Sequence, residues 1–148
     1  MPQIDKSVLV EYSAEQMFAL VDGVEDYPKF LPWCGGTHLI ERSESITLAT
    51  INIDYHGIRQ SFTTRNRKEP PEWMHIELQE GPFQHLIGHW RFKPLGEGAC
   101  KVEFRLEYEF SSKLLQKIVG PVFSYIANTF VEAFVTRAEA KYGPGSGA

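Results

Sequence analysis

The segment from Cys100 to Phe110 alternates without a break. Cys100, Val102, Phe104, Leu106, Tyr108 and Phe110 fall on one face, and Lys101, Glu103, Arg105, Glu107 and Glu109 on the other. Successive strand side chains point to opposite sides, so a strand here is dry on one face and wet on the other. That pattern belongs to an antiparallel sheet covered on one side, and it excludes a parallel sheet buried on both faces. The rest of the chain must therefore supply partner strands and a cover for the apolar face.

The partners are legible as short runs between turn residues. Ile4 to Val10 reads as a first strand, and five more runs read as strands at about 36–43, 46–55, 57–66, 73–80 and 84–93. His56-Gly57, Glu69-Pro70-Pro71, Gly81-Pro82 and Gly96-Glu97-Gly98 mark the turns between them. Between the first two strands, Ser13 and Gln16 form a capping box, with Tyr12 and Met17 placed as its hydrophobic staple. Met17, Leu20, Val21 and Val24 give that helix its buried stripe, and Gly23 with Pro28 ends it.

The cover comes from the C-terminal part of the chain. Between Lys113 and Tyr142 the period changes from 2 to 3.6. Leu115, Val119, Val122, Phe123, Ile126, Phe130, Ala133 and Phe134 line one side; Lys117, Ser124, Asn128, Glu132 and Glu139 line the other. The apolar arc is wider than the usual surface-helix stripe. The expected fold is α+β, a helix-grip arrangement in which a seven-stranded antiparallel sheet wraps around a long C-terminal helix. Gly120-Pro121 predicts a bend or restart in that helix, because proline cannot donate the backbone hydrogen bond and crowds the preceding turn. Ala127, Ala133 and Ala138 alternate with larger residues. Either they leave a cavity under the helix, or the phenylalanines fill the space.

Composition narrows the function classes. With 148 residues, 43% of them hydrophobic and 23% charged, the chain reads as one globular domain over 1–142, followed by a disordered tail over 143–148. A net charge of −4 argues against a nucleic-acid binder that relies on a global positive field, and no DNA partner is expected. Cys34 and Cys100 stand far apart with no CxxC, which suits a reducing cytoplasm. The N-terminus carries no signal-peptide pattern. The charge-free run from Ile118 to Val131 is too short and too interrupted to span a bilayer. His85 and His89 share the wet face of one strand, about 13 Å apart at ~3.3 Å per residue, too far for one metal ion to bridge.

Catalysis finds no foothold in the motifs: GxSxG, HExxH, a P-loop and GxGxxG are all missing. Asp54 and His56 share a strand face without a nucleophile beside them, and His56 reads as a turn residue. Cys100 and Tyr108 are the polar groups on the best-phased inner faces, and no catalytic residue is named. The stretch DYPKFLPWC (26–34) is a stiff apolar segment between two prolines. Tyr27 and Phe30 read as core. Leu31, Pro32 and Trp33 read as a cavity rim, since apolar side chains around a proline turn are costly to leave bare. The cavity wall is expected to hold Trp90, Phe92, Phe104, Leu106, Phe123, Phe130 and Phe134, around a space of roughly 300–1,000 Å³. On the wet side, Arg59, Arg65 and Arg67 share a face, Lys68 follows them, and Arg91 and Lys93 lie outward on another strand. They are either a phosphate-binding patch or ordinary cross-strand partners of Glu77, Glu103, Glu107 and Glu109.

VEDYPKFLPWC (24–34), EGPFQHLIGHWRFKPL (80–95) and ACKVEFRLEYEFSS (99–112), in this order and spacing, resemble the RatA and coenzyme Q-binding branch of the START-like superfamily, also called polyketide cyclase/dehydrase-like or SRPBCC. The resemblance spans about 1–142 and implies the same sheet-and-helix fold with a hydrophobic cavity. It implies, first, non-enzymatic binding of ubiquinone or another isoprenoid lipid in support of respiration, with no other cofactor. A second implied role is association with the large ribosomal subunit, blocking subunit joining. A polyketide cyclase-like activity is the third. It further implies a cytoplasmic protein, with peripheral contact at the inner membrane if it handles lipid. Gly120-Pro121 departs from the family pattern.

Overall fold

The computed structural model describes residues 2–143. In chain order it contains β1 (Gln3–Val10), α1 (Ala14–Asp22), a single 3-10 turn (Val24–Asp26), α2 (Tyr27–Phe30), β2 (Cys34–Arg42), β3 (Ile46–Tyr55), β4 (Ile58–Glu69), β5 (Trp73–Glu80), β6 (Phe83–Pro94), β7 (Cys100–Phe110) and α3 (Lys113–Tyr142). The seven strands form one antiparallel sheet in the order β1-β7-β6-β5-β4-β3-β2. β2 to β7 are a plain meander. β1 joins β7 at the far edge, and α1 and α2 carry the chain between the two edges. This is the helix-grip fold expected from the residues.

Local chemistry explains the breaks. Ser13 Oγ accepts from Gln16 N at 3.0 Å while Ser13 N donates to Gln16 Oε1 at 2.8 Å, so the capping box is present in both halves. Ser112 Oγ accepts from Leu115 N at the start of α3. His56 and Gly57 both take positive φ, 51° and 81°, as a two-residue hairpin turn requires. Gly81 combines φ of 152° with a close approach: a Cβ there would lie 2.6 Å from Phe62 Cβ.

α3 runs unbroken through Pro121, so the expected restart does not occur. Pro121 and Lys117, whose carbonyl loses its helical partner, are both exposed, and water can satisfy that carbonyl where a buried site could not. Over its 30 residues α3 extends about 45 Å at 1.5 Å per residue. Val119, Phe123, Ile126, Ala127, Val131, Phe134 and Ala138 are its buried side. By length and apolar composition it could cross a bilayer, but this face lies on the sheet. Leu114, Ile118 and Tyr125 are exposed along its outer side. Its end is tied to α1: Tyr12 Oη donates to the Gly143 carbonyl at 2.6 Å, and Tyr142 Oη to the Gln16 carbonyl at 3.1 Å. Gly143, expected in the tail, is thus the helix cap; residues 144–148 lie outside the described residues.

Candidate functional site

Between the inner sheet face and α3 lies a space of about 70 Å³. Trp33, Trp90, Phe104, Leu106, Phe123 and Phe130 stand on its wall, with Val21, Val24 and Tyr27 from the helical segment before β2 and Phe62, Thr64, Asn66, Met74 and Ile76 from the middle strands. The rings crowd one another: Trp90–Phe104 centroids are 4.3 Å apart, Phe104–Phe130 5.6 Å and Trp90–Phe130 5.8 Å. Small and large residues therefore do both things the sequence left open. The aromatics fill most of the layer and leave a space well below the 300–1,000 Å³ expected.

Four residues expected at the wall or rim sit elsewhere. Phe92 is inward but lies under α1, with its ring 5.6 Å from Phe18. Phe134, one turn beyond Phe130, packs edge-on against Tyr27 and Phe30 at 5.5 and 5.4 Å. Leu31 is fully buried in the core and Pro32 is exposed, because the turn after α2 puts Leu31 and Trp33 inside and Pro32 on the outer side. Val21, Val24, Thr64 and Asn66 were not among the expected wall residues. The last two follow from the phase of β4: if Arg65 and Arg67 point out, Thr64 and Asn66 point in.

The same phase corrects Lys68. It does not extend the outward basic set; its side chain is only 3% exposed and its Nζ sits 2.7 Å from Asp22 Oδ2. Thr47 Oγ1 donates to the other Asp22 oxygen at 2.6 Å. Arg42 joins from the rim, paired to both oxygens of Glu25 at 2.7 Å. That pairing holds the Glu25 carboxyl down to about 2. One end of the cavity is thus backed by a charged cluster, while the remainder is apolar apart from Thr64 and Asn66.

Polar groups on the wall are few. The Tyr27 hydroxyl donates to the Val21 carbonyl, and burial pushes its pKa far up. Cys100 and Tyr108 are not on the wall. Burial raises the Cys100 thiol to about 11, which leaves it a poor nucleophile at neutral pH. Cys34 and Cys100 are both free.

On the outer face, register aligns a row across five strands: Asp5, Arg105, His89, His75 and Arg67. Trp73 stacks beside His89 at 6.1 Å, and Arg91 is the cross-strand partner of Trp73. Arg59 pairs with Asp54 at 3.6 Å, Arg67 with Glu77 at 3.5 Å and Lys93 with Glu103 at 3.3 Å. Arg65 and Arg91 have no ion pair among the described residues. Exposed pairs of this kind are weak, so the face offers cations that can exchange partners. Burial, then His75, Arg91 and Arg105, lower the pKa of His89. Among the described residues no group of three or more His, Cys, Asp or Glu gathers as a metal site.

Residues 10–135 match the family described as polyketide cyclase / dehydrase and lipid transport. The chain belongs to that family. Within it, the ribosome association toxin RatA of Vibrio cholerae is 46% identical over 97% of this chain and 99% of its own length. The persistence and stress-resistance toxin PasT of Escherichia coli O6:H1 is 43% identical over 96% and 90%. More distant is the mitochondrial coenzyme Q-binding protein COQ10 of Drosophila melanogaster, 27% identical over 95% of this chain and 60% of that protein. Among solved structures, the 18 kDa protein CC1736 of Caulobacter crescentus is 30% identical, covers 97% and 99% of the two chains and superposes with a TM-score of 0.72. The Zhui aromatase/cyclase of Streptomyces shares the fold at a TM-score of 0.77, 16% identity and 95% coverage of both chains. The family thus fits both the α3-gripping sheet and the apolar space beneath it.

Proposed function

We propose that this chain associates with the ribosome in the cytoplasm, at the large subunit, through the outer face of its sheet. The observation that carries this reading is the 46% identity extending over virtually all of RatA, a ribosome association toxin. The outer face supplies fitting chemistry. Arg67, His75, His89 and Arg105 lie side by side across neighbouring strands, with Arg65, Arg91 and the Trp73 ring beside them. Arginines meet phosphates and an aromatic ring stacks on unpaired bases, which is how proteins engage folded RNA. The acidic total charge does not oppose this, because the patch sets the local field.

The test is co-sedimentation with purified large subunits across a salt series. Affinity should fall with a log-log slope of about −0.7 to −0.9 per phosphate contact. Changing Arg65, Arg67 and Arg91 together to Ser should flatten that slope by about 2 to 3. Binding that ignores both salt and the triple change would refute the reading.

A second reading concerns the cavity. Its aromatic wall, and a relative named for coenzyme Q binding, support uptake of ubiquinone or a similar isoprenoid lipid. Peripheral contact with a membrane would accompany it. The two readings use opposite faces of the same sheet, so the triple arginine change should leave lipid retention intact. Mass spectrometry of lipids extracted from natively purified protein tests it, and recovery of no isoprenoid lipid, with no quinone binding in titration, would remove it.

A further inference from the structure

One polar atom on the cavity wall has no partner. Asn66 projects from the inner face of β4 and is 6% exposed, and its Oδ1 accepts no hydrogen bond. Native cores rarely leave a buried acceptor unmade, because the lost hydration is not recovered. Lys68 Nζ and Thr47 Oγ1 are committed to Asp22 and the Tyr27 hydroxyl to the Val21 carbonyl, and the Thr64 hydroxyl on the same wall makes no hydrogen bond to Oδ1. Around Asn66 the wall is largely apolar, with Ile76 as its cross-strand partner and Met74, Trp90 and Phe104 nearby on the same sheet face. An unmade buried acceptor in a largely apolar shell specifies a ligand whose polar end carries a donor.

We infer that Asn66 is the polar anchor of the cavity, and that the cavity takes an apolar molecule headed by a hydroxyl group. The hydroxyl donates to Asn66 Oδ1, and the hydrocarbon part runs along the aromatic rings. An ether or ketone head can accept from the Asn66 amide N–H but brings no donor, and so leaves the buried Oδ1 unmade. This rests on the cavity reading above and narrows it: of a quinone's two redox forms, only the reduced dihydroxy form carries the donor that Asn66 Oδ1 lacks. The free space of about 70 Å³ holds roughly two waters at ~30 Å³ each, so a chain enters only if a ring moves. Phe130, half-buried on α3 and facing both Trp90 and Phe104, is placed to give way.

The test compares farnesol with farnesyl methyl ether, titrated into the full chain and followed by tryptophan fluorescence, since Trp33 and Trp90 both stand on the wall. The alcohol should bind about tenfold more tightly than the ether, the equivalent of about one hydrogen bond. In Asn66→Leu the ratio should fall to near one through weaker alcohol binding, while the ether is unaffected or gains. Asn66→Val serves as a second variant should the leucine overpack. Equal binding of alcohol and ether by the wild-type chain, or a ratio that persists in both variants, overturns the role of Asn66 and leaves the cavity reading standing. Binding of neither probe overturns both.

Discussion

Removing Asp22 should cost far more than removing its partner. Lys68 is 3% exposed, and Asp22 is its only ion-pair partner among the described residues, at 2.7 Å. Asp22→Ala strands that ammonium in a low-dielectric interior and also deprives Thr47 Oγ1 of its acceptor. Breaking a buried pair by deleting one member typically costs ~3–5 kcal/mol, a large share of the ~5–15 kcal/mol that holds a domain together. Lys68→Met is milder, about 1–2 kcal/mol, because Asp22 is 16% exposed and keeps Thr47 and the nearby Arg42. The double variant Asp22→Ala/Lys68→Met leaves no orphan charge, so it should fall at least ~2 kcal/mol short of the sum of the singles. Urea unfolding followed by tryptophan fluorescence measures all three, provided the m-value stays constant. A loss below ~1 kcal/mol for Asp22→Ala, or additivity within ~0.5 kcal/mol, would refute the argument. Since Lys68 faces inward, folded Lys68→Met should keep the wild-type salt slope on ribosomal subunits. A flattened slope would return Lys68 to the basic face.

Three further outcomes follow from other sites. Glu25 is depressed to about 2 by Arg42, so its contribution to stability is complete above the unfolded carboxyl range near 4.5 and is lost as pH falls toward 2. Thermal melts of wild type and Glu25→Gln should differ above pH 5 and converge by pH 2, and a gap that persists at pH 2 would contradict this. Gly81→Ala should destabilise by about 1–3 kcal/mol, since the new Cβ meets Phe62 Cβ at 2.6 Å in a positive-φ conformation; denaturant midpoints will show it. Cys34 and Cys100 are buried, with thiol pKa values pushed up. A thiol reagent at neutral pH should therefore modify them at the global unfolding rate, and rapid labelling of the native chain would rule out the burial described.

The strand from Cys100 to Phe110 and the periodic switch at Lys113 were enough to specify a sheet with one dry face and a helix to cover it. Period-2 and period-3.6 patterns are local properties, and burial of one face is the only stable use for them. Trp90, Phe104, Leu106, Phe123 and Phe130 were recognisable as inner-face residues for the same reason, and Trp33 as part of a proline-stiffened apolar turn. Three things lay beyond local pattern. Which inward rings border open space and which merely fill the core depends on what lies above each one: Phe92 meets α1, Phe134 meets Tyr27 and Phe30, and Phe130 meets the gap. That Lys68 keeps the inward phase of Thr64 and Asn66 was hidden, because a charged residue reads as part of a wet face. Only Asp22, brought 46 positions along the chain to within 2.7 Å of Lys68, makes that lysine bearable inside. The continuity of α3 through Pro121 was likewise decided by exposure, since a proline's cost in a helix depends on whether water can reach the carbonyl it leaves unpaired.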